Sequence, residues 1–283
     1  MSRDDTSGTE PEKPAGPSNL VTRVVSALVL APLFLFVVWY GSWLFLVVIA
    51  VAGLLVLDEW SRITHSRDFV ALFAAFGLVA AVAGVWWSSN FYAAMFIVDT
   101  MIIVGLLSLL SGRPPWIALG VLYAGLPVIA LSALRLGDNG LWAVAVVVAL
   151  TWATDIAAYF VGRTLGGPKL WPAVSPKKTW SGAIGGLAGG ALAAWAVSMI
   201  SGIGAPLVVA LVALPLSVAS QLGDLAESAL KRHFGVKDSG TLIPGHGGIM
   251  DRVDGLLAAT VAAYAIGLAA SGGGDPSLGL AMQ

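Results

Sequence analysis

Apolar residues run along this chain in long blocks separated by short polar breaks, and the blocks have the length of membrane spans rather than the alternation of strands. Taking about 17–25 apolar residues per span, the pattern predicts about nine helices, near 20–40, 43–57, 70–87, 91–110, 115–134, 141–161, 180–201, 204–223 and 253–270. The expected fold class is therefore an all-α polytopic membrane protein. Ahead of the first block, residues 1–18 are polar and rich in Pro, Gly, Ser and acids, which predicts a disordered tail. No signal peptide is evident, because the first block is long, follows that tail and carries no small-residue cleavage site. The chain divides on this reading into the tail, transmembrane helices over 19–140, a second set over 141–270 with polar loops at 162–179 and 224–252, and a flexible C-terminal tail over 271–283.

Composition agrees: apolar residues make up 58% and charged ones 11% of the chain, against about 25% charged in a soluble domain, and mean hydropathy is +0.87. Cysteine is absent, which excludes disulfides, a thiolate nucleophile and a cysteine-ligated zinc. A net charge of −1 offers nucleic acid no bulk attraction.

Position matters more than net charge. With the N-terminus inside, the inner segments hold Arg3, Lys13 and Arg23; Arg62 and Arg67; Arg113; Arg163, Lys169, Lys177 and Lys178; and Lys231, Arg232, Lys237 and Arg252. Of the 15 basic residues only Arg135 falls outside, which predicts a cytoplasmic N-terminus and an external C-terminus. His65, His233 and His246 also fall inside.

The two inner loops carry most of the remaining polar chemistry. Asp224, Glu227, Ser228 and Lys231 follow i, i+3, i+4, i+7 spacing and share one face if the eighth helix continues through them. Asp251 and Asp254 open the ninth. Carboxylates entering from two helix ends suit a hard cation such as magnesium; the alternative is that they offset neighbouring bases. Lys231, Arg232, Lys237 and Arg252 can clamp phosphates, although inner loops collect such residues in any case. Gly245, Gly247 and Gly248 allow backbone to approach an anion, and His246 can contact a phosphate, move a proton or make a structural hydrogen bond.

In the first loop, Asp155 and Tyr159 lie one helical turn apart, with Arg163 on the following turn. An acid there should face an interior site rather than lipid. Ser175, Lys177 and Lys178 precede a helix N-terminus able to bind an anion. No Walker motif is present. In the seventh span, Gly182, Gly186 and Gly190 form a small-xxx-small face suited to close helix contact. Asp99, in the middle of span four, is expected to pack or hydrogen-bond within the bundle.

Together these residues resemble the phosphatidate cytidylyltransferases, or CDP-diacylglycerol synthases. The resemblance rests on Ser228-x-x-Lys231-Arg232, Lys237-Asp238, Pro244-x-His246-Gly247-Gly248 and Asp251-Arg252-x-Asp254. Gly223-Asp224-x-x-Glu227-Ser228, the Asp155–Arg163 segment and Ser175-Pro-Lys-Lys-Thr179 add to it. It is strong over about 150–255 and only general in the first five spans; Ser181 stands where many relatives carry Glu.

The family implies transfer of CMP from CTP to phosphatidic acid, releasing pyrophosphate, in the bacterial inner membrane with the site facing the cytoplasm. It implies magnesium on Asp224 and Asp251, with or without a second cation, and favours a homodimer. Asp224, Lys237, Asp251 and Arg252 are the expected catalytic residues. Asp155, Tyr159, Arg163, Ser175, Lys177, Lys178, Ser228, Lys231, Arg232, Asp238, His246, Gly247, Gly248 and Asp254 are expected to bind substrate. The alternatives are a cytidylyltransferase or CTP-dependent kinase with another lipid acceptor, and a transporter whose inner loop binds an anion.

Overall fold

Long apolar blocks cannot leave backbone polar groups unpaired in hydrocarbon, so they form helices. The computed structural model describes residues 19–66, 69–86, 90–112, 114–242 and 247–280. Among them nine long helices follow one another: α1 (Asn19–Tyr40), α2 (Ser42–Ile63), α3 (Phe69–Trp86), α4 (Asn90–Leu110), α5 (Trp116–Leu136), α6 (Gly140–Leu165), α7 (Trp180–Ser201), α8 (Pro206–His233) and α9 (Met250–Ala270). Six of them, α2 and α5 to α9, are long and apolar enough to cross a membrane. The described apolar runs of the other three are shorter, Val24–Tyr40, Ala74–Trp86 and Met95–Leu110. The chain is an integral membrane protein. The tail over 1–18 lies outside the described residues, as do Arg67, Arg113, Pro244, Gly245 and His246.

α5 lies at the centre, buried along almost its whole length, and packs against α2, α3, α4 and α9. α6 and α7 make the most extensive helix pair, because the glycine face of α7 meets small residues of α6. A Cβ on Gly182 would lie 2.8 Å from the Ala158 carbonyl, and one on Gly186 would lie 3.1 Å from the Thr154 carbonyl. The small-residue face read from the sequence therefore brings the two backbones together. α8 then packs on α7, and α9 on α8.

Four features depart from the sequence reading. First, α2 continues past the expected end at residue 57 to Ile63, which keeps Asp58 and Glu59 on the helix. Second, the loop over 162–179 contains an antiparallel hairpin, β1 (Lys169–Trp171) with β2 (Ser175–Thr179). Gly166 and Gly167, at φ 62° and 99°, turn the chain from α6 into it by adopting backbone that glycine tolerates best. Third, residues 276–280 are not a flexible tail but a short helix, α10 (Pro276–Leu280), packed on α9. Asp275 Oδ2 accepts from the Asp138 amide at 2.7 Å, and Ser277 is fully buried. Fourth, Asp99 lies on the outward side of α4 beside exposed Phe96, Val98 and Ile102, not inside the bundle.

Candidate active site

α8 has 28 residues, about 42 Å at 1.5 Å per residue, whereas the hydrocarbon core of a bilayer is about 30 Å thick. Its polar last turns therefore project beyond the apolar layer, and the site is built there. The expected single face forms because α8 continues to His233. Ser228 Oγ donates to Asp224 Oδ1 at 3.4 Å, and Lys231 Nζ donates to Glu227 Oε2 at 2.9 Å. Lys231, Arg232 and His233 occupy the last turn, where positive charge suits the carbonyl end of the helix.

Three distant segments converge on this face. From the hairpin, Lys178 ion-pairs with Asp224. Strand alternation turns neighbouring Lys177 outward. β2 ends at Thr179, whose hydroxyl caps α7 by accepting from the Gly182 amide at 3.1 Å, so the strand feeds directly into a fixed helix start. Ser181, at the base of the hairpin, donates to the Gly166 carbonyl. From α6, Asp155 lies close enough to Asp224 and Lys178 to feel both charges.

The third segment is the start of α9. Asp251 Oδ1 accepts from Lys231 Nζ at 2.6 Å. Its Oδ2 accepts at 2.9 Å from the Ser239 amide, the Ser239 hydroxyl and the Gly248 amide. Asp254 accepts from the Gly255 amide at 2.7 Å. Lys231 thus ties the Glu227 and Asp251 carboxylates together.

Other expected residues lie around this cluster. Arg163 donates to Tyr159 Oη at 2.6 Å, and the two pair on the exposed side of α6. Arg232 turns to the Val236 carbonyl at 3.1 Å. Lys237, Asp238 and Arg252 are exposed near Ser239 and Asp251, and Ser175 is half-buried at the start of β2. Gly247 has φ 87°, so the Gly-Gly pair turns the chain into α9.

Sequence reasoning missed Glu59, a carboxylate with 4% exposure. Its Oε1 accepts from the Ile249 amide, and its Oε2 from the Met250 amide, both at 2.9 Å. Ser239 Oγ also lies 2.8 Å from Oε2, so its single proton is shared between this oxygen and Asp251 Oδ2. The signal is the acidic pair Asp58-Glu59, which lies just beyond the end at residue 57 expected for the second helix. Ser239, between Asp238 and Gly240, gave no pattern.

Beside the cluster a cavity of about 320 Å³ is lined by Trp60, Trp116, Tyr123, Leu230 and His233, with Glu227 in its wall. Trp60 Nε1 donates to the Trp116 carbonyl at 2.8 Å, which fixes one side.

The donor set fits magnesium in kind. Asp224 and Asp251 offer hard carboxylate oxygens, each paired with a lysine ammonium. Among the described residues no three acidic or imidazole side chains group at metal-ligand spacing; magnesium needs only one or two protein carboxylates when phosphate oxygens and water complete its shell.

Comparison with known proteins extends the resemblance beyond residues 150–255. Residues 21–269 match the Cytidylyltransferase family. The chain is 44% identical over 259 residues to a phosphatidate cytidylyltransferase of Brucella suis, covering 88% of this chain and 94% of that protein. It is 31% identical over 247 residues to the Rickettsia bellii enzyme of the same name, covering 85% and 87%. The Bacillus subtilis protein of that name is 44% identical over 144 residues, covering 50% and 54%. With the match running from the first helix to the last turn of α9, the chain belongs to the cytidylyltransferase family.

Proposed function

We propose that the protein transfers CMP from CTP to phosphatidate, giving CDP-diacylglycerol and pyrophosphate. The observation that carries this reading is the meeting of β2, the end of α8 and the start of α9 in one cluster of paired charges at the end of apolar helices. Two anions must meet at such a site and a third must leave. A phosphatidate oxygen forms the new bond to the α-phosphorus of CTP, the bond from that phosphorus to the β-phosphate bridge breaks, and pyrophosphate takes the electron pair. The acceptor phosphate is itself the nucleophile, so no Ser, Cys or His nucleophile is required. The work left to the protein is positioning and charge stabilisation.

In this assignment Lys178, Lys237 and Arg252 hold the triphosphate and the departing pyrophosphate, and Ser175, Lys177 and Ser228 complete the polar wall. Asp224 and Asp251 hold magnesium, which when bound offsets phosphate charge. Lys231 stays with Glu227 and Asp251 and fixes their orientation. The aromatic cavity beside Glu227 accommodates the glycerol end of the lipid, bringing its phosphate to the cluster from the membrane side.

The distribution of basic residues supports a nine-span arrangement with the N-terminus and the site in the cytoplasm, residues 141–270 forming the catalytic half. We assign the working form as a homodimer in the bacterial inner membrane.

The test is incubation of detergent-purified protein with CTP labelled at its α-phosphate, phosphatidic acid and magnesium. Label passing into lipid with an equal release of pyrophosphate is expected. Label entering only other lipid acceptors, or no label under conditions where an authentic synthase works, overturns the assignment.

A further inference from the structure

The N-terminal half contains a side chain that reaches the proposed centre through others. Glu59, near the end of α2, is separated from the start of α9 by some 190 residues of chain, yet its carboxylate takes up the amides of Ile249 and Met250. The N-cap residue of α9, Ile249, offers no side-chain cap, and amide groups at a helix start need acceptors; the Arg252 amide turns to the Ile249 carbonyl at 2.9 Å, and Glu59 takes those of Ile249 and Met250. Capping alone does not explain the third bond. Ser239 Oγ lies 2.8 Å from Glu59 Oε2 and 2.9 Å from Asp251 Oδ2, so one hydroxyl bridges the two carboxylates. The amides of Ser239 and Gly248, on either side of Glu59, both donate to the same Asp251 oxygen. Among the described residues, the non-lysine donors to Asp251 therefore come from residues that Glu59 contacts or adjoins. Among the described residues, Asp251 Oδ1 is paired with Lys231.

We infer that Glu59 is a positioning residue for the reaction: it fixes Ser239 and the Ile249–Met250 backbone so that Asp251 Oδ1, beside Lys231, is held toward a divalent cation. The inference rests on the cytidylyltransferase reading and on Asp251 as a ligand. Outer partners of metal-ligating carboxylates contribute about 10–100-fold to metal affinity or activity when removed.

The test compares wild type, Glu59→Gln, Glu59→Asp and Ser239→Ala as full-length proteins in detergent. Two readouts are used: Mn2+ binding without nucleotide, followed by electron paramagnetic resonance, and the Mg2+ dependence of label transfer. Wild-type turnover establishes the reaction independently, so its absence overturns the function and not the role of Glu59. Glu59→Gln is expected to weaken Mn2+ about 10–100-fold and to raise the Mg2+ midpoint, with the KM for phosphatidate unchanged. Ser239→Ala, which leaves both helix-start bonds in place, is expected to shift the same readouts in the same direction by less, and Glu59→Asp to recover part of the loss. Unaltered Mn2+ affinity in Glu59→Gln and Ser239→Ala, even with a lower melting temperature, overturns the inference and leaves Glu59 as a structural cap.

Discussion

Glu59 and Gly248 compete for one space: a Cβ on Gly248 would run into the Glu59 carboxylate and the Ser239 hydroxyl. Gly240 is similarly placed, with its Cβ position 2.8 Å from Glu59 Oε1. Gly248→Ala should therefore push the α9 start away from α2, costing about 1–3 kcal/mol as an overpacked site, with loss of most activity. Thermal unfolding and initial rates check both parts, and an active variant of wild-type stability would contradict the packing argument.

The two acids assigned to magnesium make different structural predictions. Asp224 pairs with Lys178 where both side chains are about one-third exposed, so Asp224→Asn should alter stability by no more than about 1 kcal/mol while nearly abolishing turnover. Asp251 and Lys231 are 9% and 11% exposed, and Asp251→Asn leaves an ammonium short of a partner. That variant should lose turnover and also about 3–5 kcal/mol of stability. Side-by-side melting curves and label transfer separate these outcomes; unchanged rates and metal dependence in either variant would remove it from the metal set.

Hydropathy made the helices legible because a span is a property of composition over many residues. The shared face of Asp224, Ser228 and Lys231 was legible for the same kind of reason, since helical spacing fixes which side chains meet. The hairpin was not: its strands are short, one contains Pro176, and neither alternates apolar with polar residues. Glu59 escaped because its partners lie at the far end of the chain, and hydropathy reads a buried, fully engaged acid as a loop acid. The same blindness to direction misplaced Asp99, whose side chain the pattern along α4 could not orient. For Lys231, sequence shows the charge but not the Glu227 and Asp251 carboxylates that it pairs with.

A bulky residue in the aromatic cavity should discriminate the substrates. Ala226 lines it and is exposed toward it, so Ala226→Trp should raise the KM for phosphatidate several-fold and leave the KM for CTP near its wild-type value. Equal effects on both would remove the cavity from the lipid path.

Packing between α6 and α7 is set by backbone proximity, which offers a stability test away from the charges. Gly186→Leu would drive a side chain into the Thr154 carbonyl, 3.1 Å from the first added carbon, and the pair cannot separate without moving β2. A loss of about 1–3 kcal/mol or more is expected, read as lower yield of monodisperse protein. Gly185→Leu would test a different contact, with Val161.

The ion pair between Lys178 and Asp224 gives the resting site an internal counterion. A nucleotide phosphate and a divalent cation claim opposite halves of that pair. Whatever draws the lysine away leaves the carboxylate exposed to a cation, and whatever neutralises the carboxylate releases the lysine. On the proposed assignment, binding of the two is expected to be cooperative, with the same gain from either direction by linkage. On that assignment the hairpin that carries Lys178 would be the element through which nucleotide and metal sense one another.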